Sequence, residues 1–478
     1  MTARFISNRF MRTGRSAFPK TQLFAVVLVS LLMLYPAWLR GGTHAGWTWP
    51  LPWIAIGGLL LWLLSGRLSQ DRANRPALFL KDPALWAGLL FLLLLILQWW
   101  NAGRALYYDV AARAWSYSPP RHPLLPSAIT TAEARQMLDW FLPAWVILVV
   151  LRSPSLWPRA RRAIWRVAVI NAALLAIFGM VQFASGTTNM YWLLPMRPHF
   201  FASFGYPNHA GSYFLMSECL AAGLLVYELE DTVARRRVGR MLVLSLAFLL
   251  SLVGANFALS RASILLSWLL LLPIGFVIGR VTWQRLRPAH RVNLVIGSLA
   301  AIVLAALLTI GLGRDAIRTE FKPEDDQKTF FDRETNFRWF QLETAVHIWR
   351  DNPWYGVGGW GYRYLMAHYL PTDQWHRVSE GKANVHNDPV QFLSEFGLVG
   401  AGAMAGVVVL LGCSAFRRRQ GFDAMIALSM LGVGAVALQS LIDLPFRSPA
   451  VLYLWLVILA GAGGARKPRS PAALKSVE

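Results

Sequence analysis

Apolar runs close to bilayer length recur along almost the whole chain, among them Leu23 to Leu39, Ala84 to Trp99, Met241 to Leu259 and Ala450 to Ala462. A hydrocarbon core takes about 20 helical residues to cross, so a succession of such runs reads as a series of membrane spans. With 55% hydrophobic residues against 15% charged, and a mean hydropathy of +0.41, no water-soluble core could absorb them. The reading is an all-α polytopic membrane protein with about twelve transmembrane helices. The spans fall near 22–39, 50–66, 83–100, 136–151, 164–184, 210–229, 241–259, 263–279, 292–312, 388–411, 423–441 and 449–465. Four parts follow: 1–312 with the first nine spans, a large loop 313–387, 388–465 with the last three, and a tail 466–478.

Charge fixes the expected orientation. The formal net charge is +22, which in a soluble protein would suggest nucleic acid. Here the basic residues alternate by side. Arg4, Arg9, Arg12, Arg15 and Lys20 precede the first span, and Arg159, Arg161 and Arg162, Arg235 to Arg237, Arg417 to Arg419, and Arg466, Lys467 and Arg469 recur in every second connection. That pattern places both termini on the cytoplasmic side of the membrane, with the excess charge facing anionic lipid and no nucleic-acid partner. Leu23 to Leu39 is long enough to span and lacks a small-residue cleavage site, so it reads as an anchor rather than a cleaved signal. The two cysteines, Cys219 and Cys413, lie in or beside different apolar runs and indicate neither disulfide nor metal cluster.

The connections on the other, outer side are long: 101–135, 185–209 and 313–387. Function is therefore expected there. The largest loop begins polar, then reads as an amphipathic helix in "FRWFQLETAVHIWRDNPW", where Phe337, Phe340, Thr344 and Ile348 share helical spacing. "NPWYGVGGWGYRYL" follows, with proline and glycines marking a tight turn. The many tryptophans sit mostly at span ends, where interfacial aromatic belts account for them.

The segment "HNDPVQFLSEFGLVG" carries the candidate chemistry. Pro389 suits a first helical turn with Asn387 or Asp388 as cap, so His386 stands at the mouth of a helix. Offsets of three and seven from Asp388 put Gln391 and Glu395 on one face, a polar stripe reaching about 10 Å down the helix. Carboxylates at that depth face a bundle interior or a wet cavity, as interhelical glue or as part of a site. Glu395 either orients His386 or braces helices. Three arginines face the same compartment beside apolar segments: Arg197, Arg261 in the short turn "NFALSRAS", and Arg338, with Arg333 as the alternative in the loop. Guanidiniums pair phosphate oxygens bidentately, so these form a candidate pyrophosphate clamp. Asn208 and His209, after Pro207, add donors near a helix N-terminus. Asp443 and Arg447, in "SLIDLPFRSPAV", read as a local ion pair or as acceptor contacts, the pair being favoured.

In the order "SFGYPNHAGSYF", "ALSRAS", "NPWYGVGGWGY" and "HNDPVQFLSEFGLVG", these motifs resemble the bacterial O-antigen ligase and polymerase family, the Wzy_C-type membrane glycosyltransferases, over roughly 160–450. The resemblance implies a GT-C-like architecture and transfer of a glycan from undecaprenyl diphosphate to an acceptor hydroxyl, with no cofactor, no nucleotide sugar and no required metal. It also implies His386 as catalytic residue, and Arg197, Arg261 and a loop arginine, Arg338 or Arg333, as donor ligands. A histidine is suited to take the acceptor proton, and arginines to hold the departing diphosphate. No D-x-D pair announces a metal, and "PEDDQ" reads as a solvated charge run. Lipid A core is the expected acceptor. Polymerisation onto carrier-linked glycan, transfer to protein hydroxyls, and a transporter or flippase of lipid-linked glycan are the alternatives.

Overall fold

The computed structural model describes residues 18–67, 81–103, 106–110, 114–196, 200–230, 237–285, 307, 327–369, 383–416 and 423–463. Its longer helices are α1 (Lys20–Trp38), α2 (Pro50–Arg67), α3 (Pro83–Trp100), α4 (Thr131–Arg152), α5 (Pro158–Ala184), α6 (Pro207–Glu230), α7 (Arg237–Phe257) and α8 (Arg261–Arg285). After them come α9 (Gln327–Asp351), α10 (Asp388–Phe416), α11 (Ala424–Gln439) and α12 (Pro449–Ala462). Among the described residues nine helices are long and apolar enough to cross a membrane, and α11 and α12 are shorter apolar helices on two further predicted spans. The predicted span 292–312 lies, but for Leu307, outside the described residues. Two small antiparallel pairings depart from the all-α expectation: β1 (Leu106–Asp109) with β2 (Ala114–Tyr117), Leu106 opposite Tyr117, and a two-residue pairing of Asn189–Met190 with Leu194–Pro195.

Local chemistry sets the helix ends. Asp82 accepts the N–H of Ala84 ahead of α3 and Asp423 that of Ile426 ahead of α11, each satisfying a donor the helix itself leaves open. Trp157 precedes α5, whose first residue is Pro158, a position where the missing N–H costs nothing. The interior is built around α6 and α12. Every residue of α12 is buried, and α6 is enclosed by α5, α7, α8 and α11. Gly223 and Gly432 let α6 and α11 approach closely: a Cβ on Gly223 would stand 2.5 Å from Ser429 Oγ, and one on Gly432 would stand 2.9 Å from Cys219 Cβ. Small residues serve this purpose where no hydrophobic effect drives helices together. At one end of the bundle, buried Glu228 accepts from Arg166 at 2.8 Å and Arg240 at 2.9 Å, while Arg152 binds both Asp82 and Ser414.

The loop after α9 packs on that helix in a small core of its own, with Ala345 and Ile348 from α9 against Val357, Tyr362, Met366 and Val385. It is also stitched into α10, because α10 is broken. Gly397 has φ 60° and ψ −168°, outside helical space, which interrupts the hydrogen-bond ladder inside an apolar span. Residues 353–358 replace the missing partners. Leu398 N–H donates to the Pro353 carbonyl at 2.8 Å and Val399 N–H to that of Trp354 at 3.1 Å. In return Val357 N–H donates to the Ser394 carbonyl at 3.1 Å and Gly358 N–H to that of Glu395 at 2.8 Å. Gln98 of α3 closes the patch, its Nε2 donating to Tyr355 at 2.9 Å. Irregular backbone at membrane depth is tolerated only when satisfied in this way.

The glycines of "GVGGWG" and "SEFGLVG" thus have a steric cause. A Cβ on Gly356 or Gly397 would lie 2.4 Å from backbone atoms of the opposite strand, and both have φ near +60°. Gly397→Ala and Gly356→Ala are each expected to cost at least ~1–2 kcal/mol from the left-handed backbone alone, read as a fall in thermal unfolding temperature in detergent. Gly402→Ala, in open helical space, should leave it unchanged or slightly raised.

Candidate active site

The chain enters α10 through a short segment held on every side. Asn387 caps the helix, its Oδ1 accepting the N–H of Val390 at 3.0 Å, while its Nδ2 donates to the Leu441 carbonyl at 2.8 Å. Val385 N–H donates to Gln391 Oε1 at 3.0 Å. The N–H of Asp388 is shared between the carbonyls of Ser440 at 2.9 Å and Asp443 at 3.2 Å. Pinned between these bonds, His386 adopts φ +54°. Left-handed backbone on a residue with a Cβ carries strain, and such strain gathers at functional sites.

His386 Nδ1 lies 3.5 Å from Asp443 Oδ1, with the imidazole 29% exposed and the carboxylate 6%. At that distance the contact is electrostatic rather than a close hydrogen bond. Asp443 Oδ1 also accepts from the Tyr206 hydroxyl at 3.0 Å, and that hydroxyl accepts from Asn208 Nδ2 at 3.0 Å. Burial, then the Asp443 charge, pushes the Tyr206 phenol well above its ordinary pKa, so it remains a donor. His209 is buried, with Nε2 3.0 Å from the Leu444 carbonyl and its ring edge-on to Tyr206. Asn208 and His209 therefore support the turn that presents Asp443.

One helical turn further along, the polar stripe of α10 meets a cation. Gln391 Nε2 donates to Glu395 Oε1 at 2.9 Å, and Arg447 Nη2 stands 2.8 Å from Glu395 Oε2. Arg447 Nε is 3.6 Å from Asp388 Oδ1, and Asp388 Oδ2 accepts the N–H of Phe446 at 2.9 Å. The favoured ion pair of Asp443 with Arg447 is thus replaced by two other pairings. Spacing of four residues joins side chains on a helix, but this stretch is a turn and a short 3₁₀ segment, Pro445–Arg447, which sends the two in different directions. Glu395 braces Arg447, and the group beside His386 is Asp443.

The expected arginines are placed unevenly. Arg197 lies outside the described residues. Arg338, on α9, is exposed and its Nη1 points at the Ile442 carbonyl at 3.4 Å, next to Asp443 in sequence. Arg333 is on the same helix, its side chain outside the described residues. Arg261 opens α8 with an exposed side chain. Its neighbour Ser263 joins Gln439 at 3.2 Å, and Gln439 in turn accepts from Ser212, whose hydroxyl donates to the Asn208 carbonyl at 2.7 Å. The rim that carries Arg261 is therefore continuous with the turn that carries Tyr206. Sequence reasoning missed Trp360 and Arg363. The Arg363 guanidinium stacks 3.3 Å from the centre of the Trp360 ring, and Arg447 sits 4.6 Å from the same ring. An arginine in "GWGYRY" was the available signal, hidden among glycines that read only as a turn.

A cleft of about 400 Å³ runs along α10 from Asp388 and Ser440, walled by Phe141, Phe392, Met404, Val408 and Trp455. Among the described residues no group of three His, Cys, Asp or Glu side chains is arranged to hold a metal ion.

Residues 246–405 match the Wzy_C family model, described as O-antigen ligase. That stretch, about a third of the chain, is similar to the O-antigen ligase family. The Wzy_C region runs from the second half of α7 past the break in α10, and contains Arg261, Arg338, Arg363, His386, Asp388, Gln391 and Glu395. Tyr206, Asp443 and Arg447 reach the same site from outside it. None of the curated proteins compared matches the chain. The chain thus combines a region similar to O-antigen ligases with a set of helices long and apolar enough to cross a membrane.

Removing Arg447 strands two buried carboxylates. Arg447→Met is expected to cost ~3–5 kcal/mol, the range for breaking one side of a buried pair. Arg447→Met combined with Glu395→Gln should recover part of it; thermal melts of the three variants test the coupling.

Proposed function

We propose that the protein transfers a glycan from undecaprenyl diphosphate to a hydroxyl of lipid A core on the periplasmic face of the inner membrane. The observation that carries this reading is His386, held in strained backbone at the head of α10, with its Nδ1 facing Asp443, within a region of O-antigen ligase type. The Asp443 carboxylate favours the tautomer with its proton on Nδ1, leaving Nε2 to accept the proton of the acceptor hydroxyl. The deprotonated oxygen attacks the anomeric carbon as the bond to the lipid diphosphate breaks. Attack opposite that leaving group inverts the centre. Arg338, Arg261 and Arg197 hold the diphosphate while its charge grows, a role electrostatics can fill without a divalent metal.

The description of the matched region as a ligase favours lipid A core as acceptor. Polymerisation onto carrier-linked glycan, or transfer to protein hydroxyls, would use the same chemistry, and product analysis separates the three. A transporter of lipid-linked glycan would use the arginines but would have no need of a base.

The test is transfer by purified protein supplied with lipid diphosphate glycan and acceptor. His386→Ala is expected to lower turnover by at least ~100-fold, the usual contribution of a general base. Asp443→Asn should lower kcat while leaving KM for the donor within about threefold, as for a group acting through another. A folded His386→Ala variant that transfers glycan at the wild-type rate would falsify the proposal. Turnover is also expected to survive EDTA, measured in the same assay.

A further inference from the structure

The fold accounts for Arg447, whose charge is met by Glu395 and Asp388, but it leaves Arg363 unanswered. Arg363 is half-buried, and among the described residues no carboxylate lies within ion-pair distance of it. Its one hydrogen bond, from Nη2 to Asn384 Oδ1, is long at 3.5 Å, and its Nε is buried with no partner. The two acids whose charge reaches it are engaged elsewhere: Glu133 accepts from the Tyr364 hydroxyl at 2.9 Å, and Glu395 holds Gln391 and Arg447. Burial, then the nearby Arg447, lowers its pKa to about 10, which still leaves a full positive charge at neutral pH. A guanidinium withdrawn from water without a counter-ion is costly.

Its surroundings hold it ready for an anion. Stacking on Trp360 at 3.3 Å fixes the plane of the guanidinium yet occupies only its face, so the in-plane N–H donors keep their direction. Trp360 is itself anchored, its indole N–H donating to Gln136 at 3.1 Å. The position is also specific. Asn384, which the Arg363 tip touches, stands two residues before His386, and Arg447, on the same tryptophan, binds Asp388 two residues after it. The unanswered charge is thus linked, through Asn384 and Arg447, to the segment that carries the imidazole. A fixed planar fork of donors matches phosphate oxygens.

We propose that Arg363 is a substrate-binding residue, taking a phosphate-type oxyanion beside His386. This rests on the reading of the site as one for phosphate-bearing lipid and glycan substrates. Two sources share that chemistry: the diphosphate of the lipid donor and a phosphate carried by the acceptor sugar. Binding to the purified full-length protein is measured by calorimetry with farnesyl diphosphate against farnesol, and with a hexose phosphate against the free hexose. Wild type should prefer a phosphorylated probe to its phosphate-free control. Arg363→Gln should weaken that probe by roughly tenfold or more, the scale of a charge-assisted hydrogen bond, and leave the control unchanged. Loss confined to farnesyl diphosphate assigns the donor, and loss confined to the hexose phosphate assigns the acceptor. Arg363→Lys keeps the charge without the fork and should fall between wild type and Arg363→Gln, with all three melting alike. Equal affinities in wild type and Arg363→Gln, or no preference for phosphate in wild type, overturn the proposal. Wild-type protein that binds phosphate through Arg363 but transfers no glycan would sink the transferase reading and leave this one standing.

Discussion

The contact between Arg447 and the α10 carboxylates is the interaction on which the site depends. Arg447 comes from the turn between α11 and α12, while Asp388 and Glu395 stand about two turns apart on one face of α10. Without the cation, two acids would sit buried in an apolar span, an arrangement that membrane helices otherwise avoid. With it, the head of α10 is clamped to the turn that carries Asp443, and the alignment of Asp443 with His386 follows. Trp360 and Phe392 lie against the same guanidinium, at 4.6 and 5.6 Å, and so extend the clamp to the loop after α9. Ion pair, stacked ring and helix cap are parts of one joint.

Much of this architecture is legible in the sequence because bilayer physics is blunt. Spans announce themselves by length and hydropathy, and the ends drawn for α1, α3, α6 and α12 fall close to the observed ones. The helical reading of the loop segment also meets the structure, with Thr344 and Ile348 buried on one face of α9. His386 is legible as a residue ahead of a capped helix, and Asn387 does cap it.

What stays hidden depends on non-local pairing. Nothing in "LIDLPFRSP" says that Asp443 will face a histidine fifty-seven positions upstream while Arg447 turns the other way, since that outcome is decided by a 3₁₀ turn rather than a helix. Arg363 is equally opaque: its meaning comes from Trp360 below it and from acids that are already taken. The glycines of the two motifs look like turn formers when each is read alone. Only together do they reveal a place where two backbones must touch.

The splice between residues 353–358 and the break in α10 also limits how a bulky substrate can arrive. If this part of the loop swung aside like a door, four main-chain groups of a span would face hydrocarbon with nothing to bond, on the order of 1–3 kcal/mol apiece even by lenient scales. The wall is therefore a fixture, and traffic must pass around it. The lipid-linked donor of the proposed reaction, entering along α10 where the cleft lies, would disturb none of those bonds.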